Sequence, residues 1–160
     1  MVSKQGQKAA NMGKSLETAI TNELAKYFEE IDKNDMWMAL ELKQGKRVFC
    51  KQYKGFDTIY KRPAHIDFFL IDPEKYPKGM AIEVKRQKSA GSVDEKFPFV
   101  IENMKLWTAK YGTDSALFLD GGGYNEFAKE WCMEQQNKKL LVIESYSNII
   151  EWLWETFSDV

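Results

Sequence analysis

Apolar and polar positions change their spacing several times along the chain, and each change marks an element. Leu16, Ile20, Leu24, Tyr27, Phe28 and Ile31 recur three or four residues apart, so the pattern predicts a helix over Gly13 to Ile31, capped by Ser15 or Asn11. Residues 1–12 carry no such stripe and read as a mobile tail. From Met36 the spacing falls toward two, and Met36 to Leu42 with Arg47 to Tyr53 read as the arms of a hairpin turning at Gln44-Gly45, with at least the second arm as the first core strand. Ile66 to Ile71 and Gly79 to Gln87 form a second hairpin around the turn-rich stretch Asp72 to Lys78. A helix follows, entered through the capping pattern Ser92 and Glu95 or at Pro98; it buries Val100, Ile101, Met104 and Trp107 and stops at Gly112.

Ser115 to Asp120 reads as an apolar strand, and the glycines 121–123 lead into a helix with Tyr124, Phe127, Ala128, Trp131 and Cys132 on one side. Leu140 to Ile143 forms a last strand, parallel to the one before because a helix intervenes. A final helix, capped by Ser145 or Ser147, covers the sheet with Ile149, Ile150, Leu153, Trp154 and Phe157, and Trp152 falls outside this stripe; an alternative reading lines a subunit interface with Trp152, Trp154 and Phe157. The expected order is helix, three-stranded meander, helix, strand, helix, strand, helix. This is a single α/β domain over residues 1–160, a mixed sheet with helices on both faces.

The second hairpin carries the chemistry. Alternation on Gly79 to Gln87 puts Met80, Ile82 and Val84 on one face and Ala81, Glu83, Lys85 and Gln87 on the other. A solvated sheet face would also alternate this way. Yet an antiparallel register that sets Asp67 opposite Glu83 brings two acids together. Such a pair repels unless a cation lies between, and hard divalent ions prefer carboxylate oxygens. Asp72, five positions from Asp67, falls on the other face.

Asp67 followed sixteen residues later by Glu83-Val84-Lys85 resembles the active-site signature of the PD-(D/E)XK nuclease superfamily. Ile66 precedes Asp67, so the literal Pro-Asp is absent, with Pro63 four positions upstream of Asp67. Gly13 to Glu17 resembles the start of the family's first helix, whose acid reaches toward the metal site, and Gln87 to Lys96 resembles a segment after Glu-x-Lys in some restriction-type nucleases. The element order matches the family's restriction-endonuclease-like core over nearly the whole chain. The resemblance implies phosphodiester hydrolysis with Mg²⁺ or Mn²⁺, one or two ions held by Asp67, Glu83 and the Val84 carbonyl. Lys85 would orient or deprotonate the attacking water, Gln87 would fix that water or the phosphate, and Glu17 would join from the first helix.

Charge sharpens the expected partner. The net charge of −1 counts mildly against nucleic acid, but Lys43, Lys46, Arg47, Lys51, Lys54, Lys61 and Arg62 cluster with Asp57 as the only acid among them. That stretch reads as a solvated hairpin and loop or as a phosphate-contacting surface. DNA contacts are expected from Lys46, Arg47, Lys51, Lys54 and Arg62, and from Lys88 and Lys96, which bracket the loop after Gln87. His65, the one histidine, precedes Asp67 and reads as structural or as a contact to DNA or metal-bound water. Cys50 and Cys132 show no zinc or disulfide spacing. No membrane span or signal peptide is visible, and a cytoplasmic setting is expected.

A chain this small has little room for a separate recognition domain. A sequence-specific endonuclease of restriction or homing type, a homodimer or higher oligomer with two sites for two strands, is the first expectation. A structure-selective Holliday junction or phage nuclease is the second, and a catalytically silent DNA-binding domain the third.

Overall fold

The structure, a computed structural model, describes residues 15–87 and 93–159. The tail 1–12, Asn11, Lys88 and the proposed Ser92 cap lie outside the described residues. Helix α1 covers residues 15–24, and its Leu16, Ile20 and Leu24 are buried as one stripe with Phe28 just beyond it. A two-residue strand, β1 (Glu29–Glu30), and a 3₁₀ turn over Lys33–Asp35 follow.

Residues 36–42 are helix α2 (Met36–Leu42), not the arm of a hairpin. Met36, Ala39 and Leu40 meet the core at helical spacing while Trp37 is exposed, so the period here is that of a helix. The helix ends at Lys43 in the left-handed conformation, φ 44°.

The sheet has six strands in chain order. They are β1, β2 (Val48–Tyr53), β3 (Ile66–Asp72), β4 (Tyr76–Arg86), β5 (Asp114–Asp120) and β6 (Leu140–Glu144). β2, β3 and β4 form an antiparallel meander, while β5 and β6 add in parallel through the crossover helices α3 (Phe97–Tyr111) and α4 (Glu126–Glu134). Pro98 stands in the first turn of α3, and Gly112 ends it at φ 72°, donating its N–H to the Thr108 carbonyl.

Two cores sandwich the sheet. On one face α1 and helix α5 (Tyr146–Phe157) bury Leu16, Ile20, Ile149, Leu153 and Phe157 against Phe68, Met80 and Ile82. On the other, α2, α3 and α4 bury Met36, Ile101, Trp107 and Cys132 against Phe69, Ala81 and Leu117. Ser145 caps α5 as expected. The two tryptophans of α5 exchange their expected places: Trp152 packs on Phe118 and Phe157, and Trp154 is exposed. Positions 149, 153 and 157 define the buried line, and Trp154 lies on its far side. Phe127 on α4 is likewise exposed rather than part of the buried stripe.

Candidate active site

Strand β4 does what its alternation predicts. Met80, Ile82 and Val84 pack toward α1 and α5, while Ala81 joins the core under α3. Glu83 and Lys85, in line with Ala81, line a cleft of about 320 Å³ under α3 together with His65, Lys96, Phe99 and Trp107. Lys85 Nζ lies 3.7 Å from Glu83 Oε2. Beside them, β3 pairs Phe68 with Ile82, Phe69 with Ala81 and Leu70 with Met80. This is the register that, continued by one position, faces Asp67 with Glu83.

The regular β3–β4 ladder stops at Phe68, and the Asp67 side chain takes over. Its Oδ2 accepts the Val84 N–H at 2.8 Å, filling the place of a backbone acceptor. Because N–H and C=O of one strand residue point to the same neighbour, the Val84 carbonyl also looks toward the Asp67 side of β4.

A change of face occurs at the same level. On β2, Val48 and Cys50 belong to the core under α3, and strict alternation would send Tyr53 to the opposite core; instead Tyr53 returns to the same one. Gln52, between them, adopts a left-handed φ of 53°. Across the ladder Tyr53 pairs with Ile66, which also lies under α3, whereas Phe68 faces α1. Asp67 therefore stands where β3 changes face, open to both sides. From the α1 side Gln52 Nε2 reaches Glu17 Oε1 at 3.3 Å and Asp67 Oδ1 at 3.5 Å. Gln52 thus ties the acid of the first helix to the acid of the hairpin. The sequence reading passed over Gln52; its signal was its place opposite Asp67 in the β2–β3 register.

Burial first, and the Asp67 charge second, push the Glu83 carboxyl well above the usual carboxylate range, against a smaller opposing pull from Lys85. A divalent cation between the two acids would favour the charged carboxylate and oppose both effects. Among the described residues no group of three or more His, Cys, Asp or Glu side chains gathers closely enough to hold a metal by itself. Two carboxylates and a carbonyl suit an ion such as Mg²⁺, which binds through one or two carboxylates and completes its shell with water and substrate phosphate.

Other expected site residues are placed differently. Gln87 is buried, and both ends of its amide are taken: Nε2 donates to the Gly123 carbonyl at 3.0 Å and Oε1 accepts the Val93 N–H at 2.9 Å. Its side-chain amide therefore fastens the backbone at Val93 to the backbone at Gly123. Lys46 and Arg47 precede Val48, which pairs with Ile71, so they sit at the end of β2 away from Asp67, about 17–20 Å along the strands. Arg47 is engaged by buried Asp72 at 3.1 Å and by the Phe157 carbonyl at 2.9 Å. Asp72 also caps its own turn through the Glu74 and Lys75 amides. Lys51 pairs with Glu30 at 3.6 Å. Lys54 and Arg62 are exposed on the loop near the cleft, and Lys96 lines it. Among the described residues no helix is long and apolar enough to cross a membrane.

No curated protein and no solved structure matches the chain. A family model does: it describes a PD-(D/E)XK nuclease superfamily domain and matches residues 8–154. That span holds Glu17, Asp67, Glu83 and Lys85 on the helix and hairpin just described, and the chain belongs to the PD-(D/E)XK nuclease superfamily.

Proposed function

We propose that the protein is a divalent-metal-dependent DNA endonuclease, with Asp67 and Glu83 as its metal-holding pair. The observation that carries this is the juxtaposition of those two acids across the β3–β4 hairpin, with the ammonium of Lys85 3.7 Å from Glu83 on the wall of an open cleft. A bound Mg²⁺ or Mn²⁺ supplies charge neutralisation at the phosphate and a more acidic water. Asp67 is held in place through Oδ2 by the Val84 amide, and Oδ1, which takes only the long 3.5 Å contact from Gln52, keeps acceptor capacity for a cation shared with Glu83. Lys85 presents its amino group to the cleft, where the ammonium form orients the attacking water and only the neutral amine form could take its proton. Gln52 links Glu17 to this group from behind and fixes the Asp67 rotamer. His65 and Lys96 stand at the rim, within the same cleft, where a phosphate backbone would run.

Cutting both strands of a duplex requires two such sites, which a homodimer or higher oligomer supplies. Sequence-specific cleavage of the restriction or homing type is one form of this activity. A second, cleavage selected by DNA structure, is favoured by the exposed ring of Tyr60, stacked on Phe99 at the cleft.

The test is incubation of supercoiled plasmid, branched DNA and single-stranded DNA in Mg²⁺, Mn²⁺ and EDTA, with wild type and Lys85→Ala. Wild type nicks or cuts in metal and not in EDTA. Lys85→Ala keeps its fold by circular dichroism and loses cleavage. A fully active Lys85→Ala protein overturns the assignment.

A further inference from the structure

The loop between β2 and β3 is built more firmly than a surface connection requires. Buried Asn103 of α3 accepts the Ile59 N–H at 2.8 Å, and Trp107 Nε1 donates to the Asp57 carbonyl at 2.7 Å. Thr58 N bonds the Arg62 carbonyl at 2.7 Å, Lys61 N bonds the Thr58 carbonyl at 2.9 Å, and Asp57 bridges Pro63. Lys61 is held at a left-handed φ of 59° to close the turn.

At the tip of this loop Tyr60 is 71% exposed. Its ring is stacked on Phe99 at 5.1 Å and 25°, and Phe99 in turn lines the cleft that holds Glu83 and Lys85. A second hollow of about 380 Å³ continues from that cleft past Thr58 and Trp107, with Lys61 and Lys110 on its walls. Among the described residues Lys61, Arg62 and Lys96 form no ion pair with a carboxylate. A large aromatic left in water on a stiffened loop, with unneutralised cations beside it and a hydrolytic cleft one ring away, matches the parts of a single-strand binding platform: ring faces for bases, cations for phosphates.

The geometry points to Tyr60 as a base-stacking residue that takes an unpaired nucleobase of a DNA strand and so selects substrates that are single-stranded near the scissile phosphate. The Phe99 stack fixes one face of the Tyr60 ring and leaves the other for the base. Lys61, Arg62 and Lys96 hold the flanking phosphates, and the strand continues over Phe99 toward Lys85. A duplex cannot offer a base face to Tyr60 without opening. This substrate class rests on the nuclease reading, but the stacking itself does not require catalysis.

The experiment measures binding in EDTA, where cleavage plays no part, with a single-stranded oligonucleotide carrying 2-aminopurine and with the matching duplex. Wild type binds the single strand more tightly than the duplex and quenches the 2-aminopurine, and the quench persists at salt that weakens phosphate contacts. Tyr60→Ala weakens single-strand binding roughly 5- to 150-fold, the range expected for one lost base stack, and abolishes the quench. Tyr60→Phe retains both, and Trp154→Ala, an exposed aromatic on the far helix, changes neither. Each variant is first checked by thermal unfolding. Unaltered single-strand affinity in folded Tyr60→Ala, or equal wild-type affinity for duplex and single strand without quenching, overturns the proposal. Quenching through Tyr60 by a protein that never cuts DNA would keep the platform and remove the nuclease reading. Cleavage that prefers single strands as strongly in Tyr60→Ala as in wild type would overturn the substrate selection and leave the nuclease reading in place.

Discussion

Gln87 separates a structural role from a chemical one, and replacing it by alanine is the sharpest single perturbation the site offers. The backbone of Gln87 is independent of its side chain: its N–H donates to the Asp120 carbonyl at 3.0 Å, and its carbonyl accepts the Gly123 N–H at 2.6 Å. Gln87→Ala leaves these bonds and removes only the two amide contacts, to the Gly123 carbonyl and the Val93 N–H. Each backbone group so orphaned costs about 1–3 kcal/mol where water does not replace the partner. The sum is roughly 2–4 kcal/mol, allowing one group partial rehydration. For a chain of this size each kcal/mol lowers Tm by about 2–4 °C, so a fall of about 5–15 °C is expected.

Thermal unfolding by circular dichroism reads the global cost, and amide exchange over Val93 reads the local one. Val93 should exchange faster, while the Gly123 amide, still bonded to the Gln87 carbonyl, should keep its protection. Cleavage should fall no further than a loosened cleft explains and should recover on cooling. An unchanged Tm with abolished cleavage would refute this account, because it would mean that the amide leaves its backbone partners to act on water or phosphate.

Glu83 gives the pH dependence. Its carboxyl is raised in the folded state, so the native protein binds its proton more tightly than the unfolded chain, and stability falls as pH rises above the ordinary glutamate range of about 4.3. In EDTA, the stability of wild type should therefore decline relative to Glu83→Gln across that window by at most about 1.4 kcal/mol per pH unit for one group, a Tm loss of about 3–6 °C per pH unit. Parallel Tm profiles for the two proteins would contradict it. Added Mg²⁺ should raise the wild-type Tm and leave Glu83→Gln nearly unmoved, measured at pH 8 by scanning fluorimetry. Gly79→Ala should destabilise by about 2–5 kcal/mol, because φ is +89° and an added Cβ would lie 2.2 Å from the Phe69 ring. Denaturant titration checks this, and a loss under 1 kcal/mol would mean that β4 shifts freely at its start.

Much of the fold could be read from spacing alone because most elements declare themselves locally. The stripe Leu16, Ile20, Leu24 needs only its own period to be a helix, and Pro98 with Gly112 brackets α3 at the positions where those residues are tolerated. Met36–Leu42 failed for the opposite reason. Its seven residues hold apolar side chains at nearly every position, so two-residue and 3.6-residue periods fit about equally, and only tertiary packing of Met36, Ala39 and Leu40 decides. Trp152 and Trp154 exchanged places because a two-residue offset on a helix turns the side chain by more than half a circle, and either could have served the apolar stripe.

The site divides along the same line. Glu83 and Lys85 are fixed by alternation within one strand, and Asp67 follows once the hairpin register is set by Phe68 and Ile82. What alternation could not supply is the change of face at Gln52 and Asp67. A left-handed residue usually announces itself as glycine or asparagine, yet here the position is a glutamine whose side chain reaches Glu17 and Asp67. The strain at Gln52 and its bridging contacts occur in one residue, and backbone strain of this kind costs about 1–3 kcal/mol that neighbouring structure must hold. Strict alternation at that point would have turned Tyr53 away from Phe69, on which it now stacks, and from Phe56, which it meets edge-on. The same exception therefore completes the aromatic core under the Tyr60 loop and opens Asp67 toward the first helix, so loop placement and carboxylate placement are mechanically one feature.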